Sequence, residues 1–225
     1  MKFSYFTMPV HPLRRDYTET LNEDRAAVML AEAFVGEHVT GRAETITSCL
    51  VFLASLAYQT ERITLGSGTL NLPNAHRAKL LEAWASSGRA INFADWRVAK
   101  SIFVADDEKT ARAYALNAHG PYAHYYRSLM RKLIGNGRPD LFKSRADMPD
   151  GEVTHDFVMN SLVIYGTPAQ VTERILALRE EVGEFGTLVY AGHDWADVAL
   201  ARRSMALMAR EVMPAVNRAL GEVIN

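Results

Sequence analysis

Glu37 and His38 stand side by side at the end of a short apolar run, residues 34–38, in the stretch EAFVGEHVTG. An imidazole titrates near neutral pH, so a histidine here can pass a proton or donate a hydrogen bond to a reacting group. A neighbouring carboxylate can orient that ring. Adjacent strand residues point to opposite faces, so the two side chains do not enter one pocket together. His38 is therefore the candidate for proton or hydrogen-bond chemistry, and Glu37 for its support. A buried histidine satisfied by Glu37 explains the same pair without chemistry, and spacing alone does not separate the two readings.

Other candidates follow the same logic. Residues 63–72, ITLGSGTLNL, read as a strand in which Gly66 and Gly68 let the backbone approach a ligand closely or form a plain bulge. Phe6, near the end of the first strand, either lines a pocket or packs in the core. His11 lies on a loop between prolines, where it contacts a ligand or sits solvated in a turn. Gly192-His193-Asp194-Trp195 follows the last strand. His193 and Trp195 are candidates to close a pocket, and Asp194 reads as a helix cap. His119, His124, Tyr125 and Tyr126 crowd the start of one helix. Without a basic groove beside them they read as packing or a dimer surface, not as a nucleic-acid platform.

Strands alternating with helices must position these groups. Strands are expected at 2–7, 34–38, 63–72, 96–105 and 187–191, with a further short apolar run at 162–165. Helices are expected at 17–33, 45–58, 77–87, 107–116 and 122–134, from 168 to about 182, and at 196–220. Residues 138–156 are polar and irregular, a lid or a passive surface loop. Such alternation gives a parallel sheet covered by helices, either open and doubly wound or closed into a barrel. In a parallel barrel, side chains at the carboxyl ends of the strands meet in one site, and Glu37 and His38 sit at such an end.

The bulk numbers exclude several classes. With 225 residues, one large domain over 1–225 is feasible. A net charge of −1 gives no electrostatic footprint for nucleic acid or an anionic membrane. The longest apolar run, 49–57, is too short to span a bilayer, and Arg14, Arg15 and Asp16 interrupt any early leader-like segment. Cys49 is the single cysteine and lies in that run, so it reads as a small core residue and a reducing cytoplasm is expected. There are seven histidines, yet no HxH after the first strand, no HExxH and no CxxC, so no metal is expected. No GxGxxG or GxxxxGK[ST] provides a glycine cradle for a nucleotide.

Taken in order, MKFSYF, FVGEHVT, ERITLGSGTLNLPNAH, WRVAKSIFVADDEKTARAYA, YGTPAQVTERI and TLVYAGHDW resemble the bacterial-luciferase-like flavin monooxygenases over nearly the whole chain. The resemblance implies a TIM (β/α)8 barrel and reduced FMN supplied by a separate flavin reductase. It implies that dioxygen is used to oxygenate a small organic substrate, and it implies a homodimer. It makes His38 the residue beside the reactive ring carbon, puts Gly68 and Thr69 under the ring and Asn71 at its edge, and turns Phe6, His11, His193 and Trp195 towards substrate. Two alternatives accompany it: a deazaflavin-dependent oxidoreductase on the same scaffold, and a non-catalytic flavin-binding homologue.

The chain also departs from that pattern. A barrel of this kind commonly takes about 250 residues and eight strands, whereas this chain supplies five strands and one short run. The first helix is expected to run straight into the second strand at Ala33/Phe34, with no turn. A proline that normally follows NAH is replaced by Arg77. The expectation is that segments are skipped at 33/34 and at 76/77, because deleting whole strands would leave a sheet edge with unpaired backbone groups. Much of the implied flavin phosphate site falls in that portion.

Overall fold

A computed structural model describes residues 1–7, 10–28, 33–35, 65–67 and 93–221. Within them, six strands pair in parallel: β1 (Lys2–Thr7), β2 (Ala33–Val35), β3 (Leu65–Ser67), β4 (Arg97–Val104), β5 (Val163–Gly166) and β6 (Thr187–Gly192). Five of them overlap strands expected from the sequence, and β5 overlaps the short apolar run at 162–165. Their order is β3-β2-β1-β6-β4-β5, and among the described residues the sheet does not close. The first and last strands lie side by side, from Lys2 opposite Thr187 to Thr7 opposite Gly192. β4 meets β6 along its first half and β5 along its second, with Ser101 opposite both Ala191 and Val163.

Side-chain alternation divides the core between the two faces of the sheet. Ile102 and Val104 of β4 join a cluster with Leu188 and Tyr190 of β6. The helices α1 (Tyr17–Val28), α5 (Pro168–Val182), α6 (Val198–Leu207) and α7 (Met213–Ala219) contribute to that cluster. Phe103 points the other way, into a second cluster with Val163 and Tyr165 of β5. There it meets α2 (Glu108–Ala115), α3 (Pro121–Gly135) and α4 (His155–Leu162). Helix starts are fixed locally. Asp107, Thr154, Thr167 and Asp197 each accept a backbone N–H of the first turn, and Thr167 with Gln170 forms a reciprocal capping box. A π turn at Met208–Val212 joins α6 to α7, just before Pro214, which has no N–H to donate.

Several boundaries differ from the sequence reading. α1 is described over Tyr17–Val28, and Ala33, expected to be the last helical residue, is a strand residue paired with Tyr5. Apolar residues through Ala31 continue the helical period, but pairing with β1 takes Ala33 into the sheet. Residues 29–32 lie outside the described residues. The junction at Ala33/Phe34 lies inside β2. The closing helix begins at Val198, not at Ala196.

The irregular segment 138–156 contains two short 3-10 turns, Pro139–Phe142 and Asp150–Glu152, and α4 follows it where no helix was expected. Phe142, Met148 and Val153 bury themselves in the second cluster, and Lys143 pairs with Asp150 at 2.6 Å. The segment is thus anchored by its own side chains. The site at 76/77 and the helices expected at 45–58 and 77–87 lie outside the described residues.

Candidate active site

Parallel pairing of β1 with β6 brings the loops beyond their carboxyl ends together. The β1 loop carries His11 and the β6 loop carries Asp194, 183 residues apart in sequence. His11 Nδ1 lies 2.6 Å from Asp194 Oδ1, and its Nε2 lies 3.1 Å from Asp24 Oδ2 on α1. Arg15 donates to Asp194 at 2.7 Å and makes a two-pronged pair with Glu23 at 2.7 and 2.9 Å. Only 4% of the His11 surface is exposed and 5% each of Asp24 and Asp194, so this is a buried charge cluster. Burial by itself lowers the His11 pKa, but hydrogen bonds and charge attraction from Asp194 and Asp24 outweigh it and raise the value to about 9. Burial likewise opposes ionisation of Asp194, yet His11 and Arg15 together hold its pKa below the ordinary carboxylate value.

These positions correct two sequence readings. His11 is not a solvated turn histidine, and both its ring nitrogens are taken by carboxylates. Asp194 is not a helix cap; Asp197 caps α6, and Asp194 ties the β6 loop to β1 and α1.

A second cluster forms one residue away, on the other face of the chain. Ser101 on β4 and His193 after β6 share a face, because Ser101 pairs with Ala191 and His193 lies two residues further on. Ser101 Oγ is 2.8 Å from His193 Nε2 and 2.8 Å from the Tyr126 hydroxyl on α3. The rings of Tyr122 and Tyr125 stand 4.7 and 4.6 Å from the imidazole, edge-on and tilted. Tyr122 is itself fixed by donating to the Ile102 carbonyl at 2.7 Å. His193 is half-buried as a residue, but its Nδ1 is enclosed and has no hydrogen-bond partner among the described residues. Burial lowers its pKa to about 3, so the ring is neutral at physiological pH.

Two spaces adjoin these clusters. A cleft of about 990 Å³ opens between the β1 loop (Pro12, Leu13, Arg14), the start of α3 (Gly120, His124, Arg127) and Asp194. A cavity of about 20 Å³ lies among Tyr122, Tyr190, His193 and Trp195. Among the described residues, no group of three or more His, Cys, Asp or Glu side chains could hold a metal ion. No helix among them is long and apolar enough to cross a membrane.

Of the residues singled out in the sequence, His11, His193 and Trp195 come to the carboxyl end of the β1–β6 pair. Phe6 is buried on β1 opposite Ala191, and Trp195 packs into the first apolar cluster. Glu37, His38, Gly68, Thr69 and Asn71 lie outside the described residues. Ser101, Tyr126, Asp24 and Arg15 were not singled out as site residues. Tyr126 carried a signal, the aromatic crowding at the start of α3; Ser101 carried only its strand parity.

Comparison with known proteins agrees with this architecture. Residues 75–184 match the family described as Luciferase-like monooxygenase. The chain is 31% identical over 143 residues to 4-hydroxyprotoasukamycin monooxygenase of Streptomyces nodosus subsp. asukaensis, covering 64% of this chain and 36% of that protein. It is 31% identical over 167 residues to limonene 1,2-monooxygenase of Rhodococcus erythropolis, covering 69% and 40% respectively. The chain thus spans well under half the length of these relatives.

Among solved structures, the oxygenating constituent of 3,6-diketocamphane monooxygenase from Pseudomonas putida, a type II Baeyer-Villiger monooxygenase in complex with FMN, superposes with a TM-score of 0.79. The sequences are 17% identical, and the match covers 96% of this chain and 98% of that one. A monooxygenase from Streptomyces bottropensis superposes with a TM-score of 0.68 at 14% identity, over 95% and 99% of the two chains. At these identities the likeness establishes fold. The parallel sheet is of the luciferase-like TIM-barrel type, and residues 75–184 match the family described as Luciferase-like monooxygenase.

Proposed function

We propose that the protein is a flavin-dependent monooxygenase that uses reduced FMN and dioxygen to oxygenate a small organic substrate. The observation that carries this reading is the family match over residues 75–184, in a chain whose aligned relatives are named monooxygenases. The described residues are compatible with such a cofactor. The cleft of about 990 Å³ at the carboxyl end of β1 and β6 is at the upper end of the range for cofactor pockets. His193, which lines the separate cavity of about 20 Å³, offers an enclosed ring nitrogen with no partner among the described residues.

When bound, the reduced flavin supplies the oxygen-activating chemistry, and the protein supplies position, exclusion of water and control of protons. In this reading His38 holds or moves a proton beside the ring, and Glu37 supports it. Gly68, Thr69 and Asn71 contact the cofactor, while Phe6, His193 and Trp195 shape the substrate side. His11 contributes indirectly, because both its nitrogens are engaged by Asp194 and Asp24; its role is to hold the two loops in register. A separate reductase would supply the reduced cofactor, and the active form would be a homodimer.

Mixing the purified protein with reduced FMN and aerated buffer tests the reading. Binding of FMN, with flavin oxidation kinetics altered by the protein, supports it. Absence of any FMN binding overturns it, and tight binding of a deazaflavin alone replaces it with hydride transfer.

A further inference from the structure

The hydrogen-bond chain Tyr126–Ser101–His193 has one end with no use inside the described protein. Its three members come from α3, β4 and the β6 loop, so the fold builds it from distant parts of the sequence. Counting protons gives it a direction. If the Tyr126 hydroxyl donates to Ser101 Oγ and Ser101 donates to His193 Nε2, every hydroxyl proton is used, and the ring proton must sit on Nδ1. In the reverse order, Nε2–H donates to Ser101 and Ser101 donates to Tyr126. The Tyr126 proton is then left over in a residue only 6% exposed, with no second partner for its hydroxyl among the described residues. The Nδ1 lone pair is left over as well. The first arrangement leaves one buried group unsatisfied and the second leaves two, and each such group is costly.

We infer that His193 is a neutral hydrogen-bond donor through Nδ1–H, held in that tautomer by Ser101 and Tyr126, and that it takes an uncharged oxygen acceptor. This deepens the monooxygenase reading and rests on it for the identity of the ligand, a small organic molecule bearing an oxygen atom such as a carbonyl. A bound water is chemically equivalent and would use the same donor. The aromatic walls of Tyr122 and Tyr125 restrict ring rotation and exclude bulk water. The ring also borders a cavity of about 20 Å³, enough for a single oxygen-sized group. A cavity of that size admits one oxygen atom but not the hydrating water that a carboxylate or phosphate would need, so an uncharged acceptor fits. Ser101 and Tyr126 are positioning residues, since they act through the imidazole.

The test is nitrogen NMR on protein labelled in its histidines, which reports which ring nitrogen carries the proton without requiring turnover. The expected result is a protonated Nδ1 and an unprotonated Nε2 at position 193. Ser101→Ala should mix or reverse that pattern, and Ser101→Thr, which keeps the hydroxyl, should restore it. Titration with cyclohexanone should shift the Nδ1 proton signal, whereas cyclohexane should not; this result identifies an organic ligand as the acceptor. A cross-peak to water that cyclohexanone leaves unchanged keeps the donor assignment and identifies water as the acceptor.

His193→Gln, whose amide reaches the Nε2 position, should weaken cyclohexanone binding about 10-fold, and His193→Asn, whose amide reaches the Nδ1 position, should lose less. A proton on Nε2 in the wild type overturns the inference, even if FMN binds. Failure to bind FMN together with a protonated Nδ1 removes the monooxygenase reading and leaves the donor assignment standing.

Discussion

His11 Nδ1 lies 2.6 Å from Asp194 Oδ1, joining the loop after the first strand to the loop after the last. The contact closes the β1–β6 seam at its carboxyl end, and Asp24 and Arg15 extend it onto α1 and the loop before it. The two loops are therefore ordered by charge as well as by the parallel ladder.

The seam makes stability depend on pH. The folded pKa of His11 is about 9, above its ordinary value of 6.5. Between those values the folded state binds the proton and the unfolded state does not, so stability falls as pH rises. The contribution is fully present below about pH 6.5 and is lost as pH passes through about 9, with a size on the order of 3 kcal/mol. Asp194 has the opposite sign: its pKa is depressed, so its contribution is present above the ordinary carboxylate range and is lost as pH falls through the depressed value. Urea unfolding at pH 6 and pH 9.5 should show a lower midpoint at pH 9.5. In His11→Phe that decrease should shrink; an undiminished decrease would assign it to other groups.

Removing one member of the seam should cost more than the seam itself contributes. Asp194→Ala leaves protonated His11 and Arg15 facing each other in a buried place, and losses of about 3–5 kcal/mol are usual for such breaks. Asp194→Asn keeps the shape and should cost less. A double-mutant cycle with His11→Phe should give a coupling of at least about 1 kcal/mol. Additive effects would mean that the two side chains do not interact in solution.

Gly192 exists because of Tyr5. A Cβ at position 192 would overlap the Tyr5 hydroxyl and the ring carbon that bears it, and Tyr5 is among the largest fully buried side chains. Gly192→Ala should therefore cost about 1–3 kcal/mol, as overpacked core substitutions do. Adding Tyr5→Phe removes the closest clashing atom and should recover part of the loss. Equal stability of wild type and Gly192→Ala in thermal unfolding would show that Tyr5 moves aside freely.

The strands were legible because their composition and punctuation are local. β1 is bounded by Met8-Pro9, β6 by Gly186 and Gly192, and β5 by the Gly166-Thr167-Pro168 helix start, so each declares itself within a few residues. The site was legible only in part. His193 and Trp195 were reachable from their place after a strand. The partners of His11 and His193 were not, because Asp24, Asp194, Ser101 and Tyr126 meet them through strand order, and no window of sequence states that β6 lies between β1 and β4. The capping reading of Asp194 failed for a similar reason: Asp197, three residues on, is equally suited to cap, and only the proximity of β1 gives Asp194 another use.

His38 carries the sharpest functional prediction. It follows β2, and β2 pairs with β1 on the side opposite β6, so strand order brings residues 33–35 beside the strand that leads to His11. If His38 holds or moves a proton beside a bound flavin, His38→Ala should lower turnover about 10²- to 10⁴-fold, the range for loss of a general acid or base. FMN affinity should change far less, since the cofactor is gripped mainly by other groups in this reading. His38→Gln, which keeps a hydrogen-bond donor but cannot titrate, separates the two roles: recovery of turnover assigns a hydrogen bond, and continued loss assigns proton transfer. The check is FMN binding by fluorescence quenching alongside single-turnover oxidation of reduced FMN. Turnover unchanged in His38→Ala, with FMN still bound, would remove His38 from the chemistry and shift attention to His193.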